Sequence, residues 1–370
     1  MIAWTFRARR LSALSAVVLC LSGMIACDDD GGSLDSDCTS TQDVRALLTA
    51  YAERAERATG ALLNDAVAFD SLAEALPAQP TADDVVVLRE AWLGLAGTYQ
   101  AAAPYAAGAD LTTDEAAGLN PFPVNEAAIE ASIDGGSGDL PEQPAFDRGV
   151  PALDYLLFQS SAMGVAARLA DDADRVTALR VYARYLRRDA SAVAEAWTRG
   201  RDAFVAREGT AAGSGVSALI NLASKHLEDL RRDKLATPAG ITTLGIANPQ
   251  TVEAPYSGTS LRLLRDGVAA SETFLFGSAG DRTNRLVDYV EGLDTEAARS
   301  LLADIEGTYA DIERALDAVE TPLQRAVSEE PDDVLELYRA LSDQVVNLKT
   351  DLPAVACVSI TYVDNPSDSD

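Results

Sequence analysis

The chain has 370 residues, of which 48% are hydrophobic, and this is enough to bury a large core. Its 58 acidic residues against 30 basic ones give a formal net charge of -28 at pH 7, which repels nucleic-acid phosphates and anionic membrane surfaces. With one histidine and four cysteines, the chain cannot build a multi-histidine zinc site, a four-cysteine site or an iron–sulfur cluster by itself. Composition therefore excludes nucleic-acid binding and leaves oxygen ligands for hard cations.

Residues 1–26 are predicted to be a secretory signal peptide. A basic stretch with arginines at positions 7, 9 and 10 precedes an apolar run that is shorter than the roughly 20 residues of a membrane-spanning helix. The segment Met24-Ile25-Ala26-Cys27 resembles a bacterial lipobox, which implies cleavage before Cys27 and lipidation of its thiol. Residues 27–42 would then form an acidic, disordered tether that holds the exported protein to a membrane of the cell envelope, facing the periplasm or the cell exterior.

Two cysteines remain after Cys20 is removed with the signal and Cys27 is lipidated. An exported protein folds in an oxidising compartment, so we expect Cys38 and Cys357 to form a disulfide. The alternative is two unrelated buried thiols.

The remaining chain is predicted to be all-α. Apolar residues recur at spacings of three and four, and residues 174–207 form one uninterrupted amphipathic stretch. Only residues 357–363 have a β-like pattern, which predicts a short extended tail at the C-terminus. Helices of this length pack as bundles.

The longest gap between helices runs from Pro238 to Pro255, and we place a domain boundary there. This predicts an N-terminal helical bundle over residues 43–240, a C-terminal bundle with its tail over 241–363, and an acidic disordered end over 364–370. An interleaved arrangement of the two halves is the alternative.

The first candidate site lies in residues 148–158. Taken alone, the segment is a helix start with Asp147 as the N-cap and Pro151 in the first turn. Asp154, however, follows Leu153 and precedes an apolar run, and a carboxylate on an apolar helix face requires a partner. We expect that partner to be Arg148, a residue of the 221–234 helix or a bound cation.

The second candidate is the charged segment 221–234, which begins at Asn221 and contains the only histidine. His226 and Asp229 are three residues apart on one helix face and could hold an ion or each other. A solitary surface histidine in a salt-bridged helix explains the pattern at least as well.

The third candidate is the segment 255–260, which follows a long loop and opens a helix. The hydroxyls of Tyr256, Ser257 and Ser260 and the free amides there could bind a small anion, while helix capping by Ser257 is an equal explanation. The sequence contains no Gly-flanked nucleophile near His226 and no phosphate-binding glycine loop.

In their order along the chain, these segments resemble the landmarks of the imelysin-like family of exported bacterial proteins. The matching stretches are Arg89-Glu90-Ala91-Trp92, Asn120-Pro121-Phe122-Pro123, residues 149–158, Arg232-Asp233-Lys234 with Pro238-Ala239-Gly240, and Tyr256-Ser257-Gly258-Thr259-Ser260. The resemblance implies two four-helix-bundle-like halves with a ligand site in the cleft between them. It also implies a link to iron uptake, and for some relatives a metallopeptidase activity.

The chain departs from the family signature Gly-x-His-x-x-Glu. It has Gly149-Val150-Pro151-Ala152-Leu153-Asp154, with proline in place of histidine and aspartate in place of glutamate. We therefore predict a membrane-anchored envelope lipoprotein without catalytic residues, which binds a small ligand or a divalent or ferric ion in the cleft and serves an uptake system. Asp154 and His226 are the candidate metal ligands. The alternatives are an imelysin-type metallopeptidase and a structural or partner-binding lipoprotein.

Overall fold

The computed structural model describes residues 39–106, 114–135, 147–243 and 245–359. The predicted signal peptide, Cys27, Cys38 and the acidic end at 364–370 lie outside these ranges. So does most of the predicted extended tail, of which only residues 357–359 are described. Within the described ranges no helix is long and apolar enough to cross a membrane.

The described chain is built from α-helices, which confirms the predicted all-α class. The only β-type contact among the described residues is an isolated bridge between Ser278 and Asp281. The helices are α1 (Val44–Glu74), α2 (Ala82–Ala106), α3 (Asp114–Leu119), α4 (Glu126–Asp134), α5 (Val150–Phe158), α6 (Ala162–Asp171), α7 (Ala173–Val205), α8 (Gly215–Asp229), α9 (Ser260–Phe276), α10 (Leu286–Glu291), α11 (Glu296–Ala318), α12 (Leu323–Glu329), α13 (Pro331–Val346) and α14 (Leu352–Val355).

Side-chain caps fix where the long helices begin. The carboxylate of Asp43 accepts a hydrogen bond from the Ala46 amide at the start of α1, and Asp172 accepts two amide hydrogen bonds at the start of α7. The long helix predicted over 174–207 is α7, and it runs without a break because its only glycine, Gly200, is tolerated inside a helix at a cost of about 1 kcal/mol.

Two helices continue into π-helical segments, in which each amide bonds to the carbonyl five residues earlier. The first π-helical segment, Leu230–Ala236, extends α8, and the amide of Thr237 donates to Arg232 O at 2.9 Å. The second, Asn347–Asp351, joins α13 to α14. The first π-helical segment contains Lys234 and the second contains Lys349.

The core consists of two hydrophobic clusters. An N-terminal cluster is formed mainly by α2 and α4–α7, and a C-terminal cluster mainly by α8–α14. Helix α1 contributes Leu47 to the C-terminal cluster and Leu62 to the N-terminal one, and α7 contributes Trp197 and Val193 in the same way. Both clusters therefore include residues of α1 and α7, and the domain boundary near residue 240 stays a prediction.

Candidate functional site

The carboxylate of Asp154 is fully buried on α5 and is held by a loop about 100 residues away. Its Oδ2 accepts the Tyr256 amide at 3.0 Å and its Oδ1 accepts the Ser257 amide at 3.1 Å. The expectation that Asp154 pairs with Arg148 or with the 221–234 helix is wrong, because two backbone amides satisfy this carboxylate. Burial raises the pKa of Asp154 to about 6, and nearby Glu253 adds to the rise against the lowering effect of the Ser257 and Tyr256 hydrogen bonds.

Arg148 instead forms a buried ion pair with Asp189 of α7, with Nε 2.7 Å from Oδ2. Its guanidinium also lies 5.7 Å from the centre of the Tyr185 ring. The N-cap of α5 is Gly149 and not Asp147, whose carboxylate accepts a hydrogen bond from the Asn125 side chain. Arg148 therefore lies at the start of α5 and has a structural role in joining it to α7.

A glycine is required at the start of α5. Gly149 has a φ of +90°, and a Cβ there would lie 2.4 Å from Gly118 O and 2.5 Å from Leu119 O. The close approach seats the first turn of α5, with buried Pro151 in it, against the end of α3. This geometry positions Asp154 one turn further along.

A second buried carboxylate lies near Asp154. Glu253 Oε2 is 2.9 Å from Lys234 Nζ, on the first π-helical segment, and its Oε1 accepts hydrogen bonds from the Gln100 and Asn120 side-chain amides at 2.8 and 2.6 Å. Lys234 also donates to Gln100 Oε1 at 2.5 Å. Sequence reasoning missed Glu253 and Gln100, because neither has a distinctive neighbour in the sequence. The network connects α2, the first π-helical segment and the loop that precedes Tyr256.

His226 is buried, and its Nε2 lies 3.0 Å from the carbonyl oxygen of Gly267 on α9. A carbonyl can only accept, so Nε2 carries the proton and donates. Burial lowers the pKa of His226 to about 4, and the charges of Lys234 and Lys225 lower it further, against the raising effect of the Gly267 hydrogen bond. The histidine is therefore a neutral core residue, and the alternative of a solitary surface histidine is wrong.

The predicted His226–Asp229 clamp is not formed. Asp229 pairs with Lys225 at 2.8 Å and with Arg232 at 3.4 Å. No described contact joins His226 to Asp154, and in the described ranges no group of three or more His, Cys, Asp or Glu side chains could hold a metal ion. The structure therefore does not support Asp154 and His226 as joint metal ligands.

Asn221, another predicted site residue, contacts its own helix. Asn221 donates from Nδ2 to Ser217 Oγ at 3.4 Å, and Ser217 in turn donates to Ser359 O, so this part of α8 contacts the C-terminal segment.

Ser260 is buried as the first residue of α9 and accepts the Ala254 amide. Ser257 does not cap α9, whose N-cap is Thr259, but its hydroxyl lies 2.8 Å from that of Thr259.

Next to Asp154, two tyrosines and two glutamates form a set that we call the phenol–carboxylate rim: Glu126 and Glu130 of α4, Tyr155 of α5 and Tyr256. The Tyr155 hydroxyl donates to Glu130 Oε1 at 2.5 Å, and the Tyr256 hydroxyl donates to Glu126. The two rings are 5.2 Å apart in an edge-to-face arrangement. Since Glu126 and Glu130 are four residues apart on one helix, their carboxylates face the same side.

The electrostatics of the rim favour protonated phenols and an ionised Glu130. Burial and the Glu130 carboxylate raise the pKa of Tyr155 to about 12, and the pKa of Tyr256 is raised by burial and by Glu126. Burial alone would raise the pKa of Glu130, but the hydrogen bonds from Arg175 and Tyr155 lower it overall. Sequence reasoning missed both glutamates, although their spacing just after the Asn120–Pro123 landmark is a usable signal.

The comparisons with known proteins agree on the fold. The family model for Imelysin (Peptidase_M75) matches residues 49–352. An imelysin-like protein from Psychrobacter arcticum 273-4 superposes with a TM-score of 0.69 at 14% identity, covering 88% of this chain and 100% of that one. A protein named as an iron-regulated protein A precursor, from Parabacteroides distasonis ATCC 8503, superposes with a TM-score of 0.64 at 14% identity, covering 84% and 94%. No curated protein sequence matches the chain.

Proposed function

Because the chain belongs to the Imelysin family, we propose that it is an exported, lipid-anchored cell-envelope protein linked to iron uptake, which binds ferric iron at the phenol–carboxylate rim. The link to iron draws support from the solved structure of similar fold that is named as an iron-regulated protein A precursor. The observation that carries the proposal is the meeting of two phenols and two carboxylates beside the family's signature position.

The signature position itself does not fit a metal ion. Pro151 has no side-chain donor atom, and both oxygens of Asp154 are engaged by backbone amides. His226 uses its Nε2–H to donate to Gly267. These residues position the rim: Asp154 fixes the backbone that carries Tyr256, and α5 carries both Asp154 and Tyr155.

The rim does fit a hard cation, because carboxylate and phenolate oxygens are the ligands that such ions prefer. Glu126 and Glu130 supply negative charge, while Tyr155 and Tyr256 each have a hydroxyl whose proton must be released when iron binds. Arg175 pairs with the other oxygen of Glu130 at 2.5 Å, which leaves the oxygen that faces Tyr155 for the ligand.

Peptide hydrolysis is not part of the proposal. It requires a metal-bound water at an open position and about three protein ligands in the zinc enzymes. The signature residues cannot provide these ligands, and Asp154 is not free to act as a base while two amides hold it.

The lipid anchor rests on the lipobox-like segment that ends at Cys27. Anchoring by acyl chains requires no membrane-spanning helix, and a partner in an uptake system would meet the protein at the membrane. We expect intact-mass analysis of the membrane fraction to show acyl chains on a chain that starts at Cys27, and Cys27→Ser to release the protein from the membrane. A wild-type protein that is recovered unmodified would contradict the anchor.

Iron binding is tested by titrating ferric nitrilotriacetate into the purified protein and recording the visible absorption band that iron gains from a phenolate ligand. We expect a saturating band that is lost or at least tenfold weaker in Tyr155→Phe and in Tyr256→Phe. Tyr338→Phe is the matched control, because this half-buried tyrosine lies on α13, outside the rim. No band in the wild-type protein, or a band that all three variants retain, would remove the proposal and favour a structural role.

A further inference from the structure

A cavity of about 570 Å³ lies beside the two π-helical segments, and nothing in the proposed function uses it. Its volume falls in the range of small-molecule sites. The lining residues are Glu228, Arg231, Arg232, Ala236, Thr237, Thr242, Tyr338 and Lys349. We propose that this cavity, which we call the π-segment cavity, binds a small oxyanion through Arg231 and Lys349.

The lining of the π-segment cavity carries a net positive charge. The whole chain has a net charge of -28, yet three cations and a single carboxylate line this cavity. Anions are repelled from most of the surface of such a protein, so a concentration of cationic groups around one cavity creates a local site of opposite sign.

Two of these cations have unused hydrogen-bonding capacity. The Lys349 side chain forms no hydrogen bond or ion pair within the described part of the chain. Arg231 pairs with Glu228, but its buried Nε has no hydrogen-bond partner among the described residues. A buried donor without an acceptor is costly, and an oxyanion supplies the acceptor. Arg232 is already paired with Asp233 at 2.8 Å and with Asp229.

A tyrosine ring and the two π-helical segments position these cations at the cavity. Arg231 lies 5.7 Å from the centre of the Tyr338 ring, which restricts its guanidinium. The two π-helical segments place Arg231 and Lys349 beside one cavity, and such segments are frequent at functional sites. The hydroxyls of Thr237 and Thr242 add neutral donors to the lining. This set of donors suits a carboxylate or a phosphate.

Glu228 competes with a bound anion for Arg231, so substitutions of Glu228 and Lys349 should change anion affinity in opposite directions. Its carboxylate is the competing anion on Arg231, and its second oxygen is also buried without a partner in the described ranges. Neutralising Glu228 should therefore free Arg231 and strengthen anion binding, whereas neutralising Lys349 should weaken it.

The test is calorimetric titration of the full chain with citrate and, separately, with inorganic phosphate, at an ionic strength fixed with sodium chloride. We expect saturable binding of at least one of them, a Kd at least tenfold higher in Lys349→Gln, and a Kd several-fold lower in Glu228→Gln. The control is Arg339→Gln, an exposed arginine of α13 outside the cavity, which removes the same charge and should leave the Kd within twofold. The stronger of the two ligands identifies the anion as carboxylate or phosphate.

Several results would overturn the proposal: no saturable binding of either anion to wild-type protein, equal weakening by Lys349→Gln and Arg339→Gln, or weaker binding in Glu228→Gln with its melting temperature unchanged. The rim variants Tyr155→Phe and Tyr256→Phe should bind the anion as wild type does, so failure of the iron proposal and failure of this one are distinguishable.

Discussion

The Arg148 guanidinium and the Asp189 carboxylate are 2.7 Å apart, with 4% and 0% of their side chains exposed. Such a pair costs a large desolvation energy, which is offset only while both partners are present. We expect Asp189→Ala to lower the free energy of unfolding by about 3 kcal/mol, because it removes the carboxylate that pairs with this buried guanidinium.

Urea unfolding followed by circular dichroism measures this loss. Glu195→Ala on the same helix is the control, because its ion pair with Arg199 is exposed and should contribute less than about 1 kcal/mol. Equal effects of the two substitutions would show that burial does not govern the Arg148–Asp189 pair.

The buried carboxylate of Asp154 should make stability depend on pH between about 4 and 6. Its pKa is about 6 in the folded state against a model value of 3.8, so in this window the folded chain binds a proton that the unfolded chain does not. Stability from this group is therefore present at low pH and is lost as the pH rises through 6. Between pH 5 and 7 we expect a loss of about 1 kcal/mol that is absent in Asp154→Asn.

We would measure the unfolding free energy of wild type and of Asp154→Asn at each pH and take the difference. The contributions of the other titrating groups cancel in this difference. Asp311→Asn, on the exposed face of α11, is the control for removing a carboxylate charge elsewhere on the protein. A pH-independent difference for Asp154→Asn would mean that the carboxylate titrates normally.

His226 should remain neutral down to about pH 5. Its pKa is about 4 in the folded state, so the stability contributed by the neutral imidazole is present above pH 6.5 and is lost as the pH falls toward 4. Because the chain contains one histidine, its imidazole NMR signal in an untagged protein is unambiguous. We expect no titration between pH 5.5 and 8 in the folded protein, and a midpoint near 6.5 in urea. A folded-state midpoint above 6 would place His226 in contact with solvent.

Gly149 should not tolerate a side chain. Gly149→Ala combines a φ of +90° with a contact of 2.4 Å to Gly118 O, and we expect a loss of about 3 kcal/mol or a failure to fold. Gly60→Ala inside α1 is the matched substitution with open space around the new methyl group, and it should stabilise the protein by up to about 1 kcal/mol. Thermal melting of the two variants measures this difference. Similar melting temperatures would contradict the close packing of Gly149 against α3.

The Cys38–Cys357 disulfide stays a prediction, because Cys38 lies outside the described residues. In the chain-entropy model, closing a loop of this length stabilises the folded state by roughly 5 kcal/mol. Mass spectrometry of peptides from the non-reduced exported protein should find the two cysteines linked. Two free thiols in that material would show that the pairing does not form.

The helices could be predicted from the sequence, because the apolar spacing of α7 or α11 records directly which face is buried. The importance of Asp154 could also be predicted, since a carboxylate in an apolar run requires a partner. The partner itself could not, because the amides of Tyr256 and Ser257 are backbone groups that every residue has. Glu253 and Gln100 were missed for a related reason: long-range polar networks leave no periodic signal in the sequence.

The π-helical geometry around Lys234 makes the length of this helix as important as its composition. Each residue of an α-helix turns by about 100° around the axis, so deleting one residue between Arg231 and Lys234 would restore α-helical hydrogen bonding and change the angle between these two side chains. Lys234 could then no longer reach Glu253 while Arg231 lines the π-segment cavity. Relatives that differ here by a single insertion or deletion should therefore differ in both buried sites, even where every aligned residue is identical.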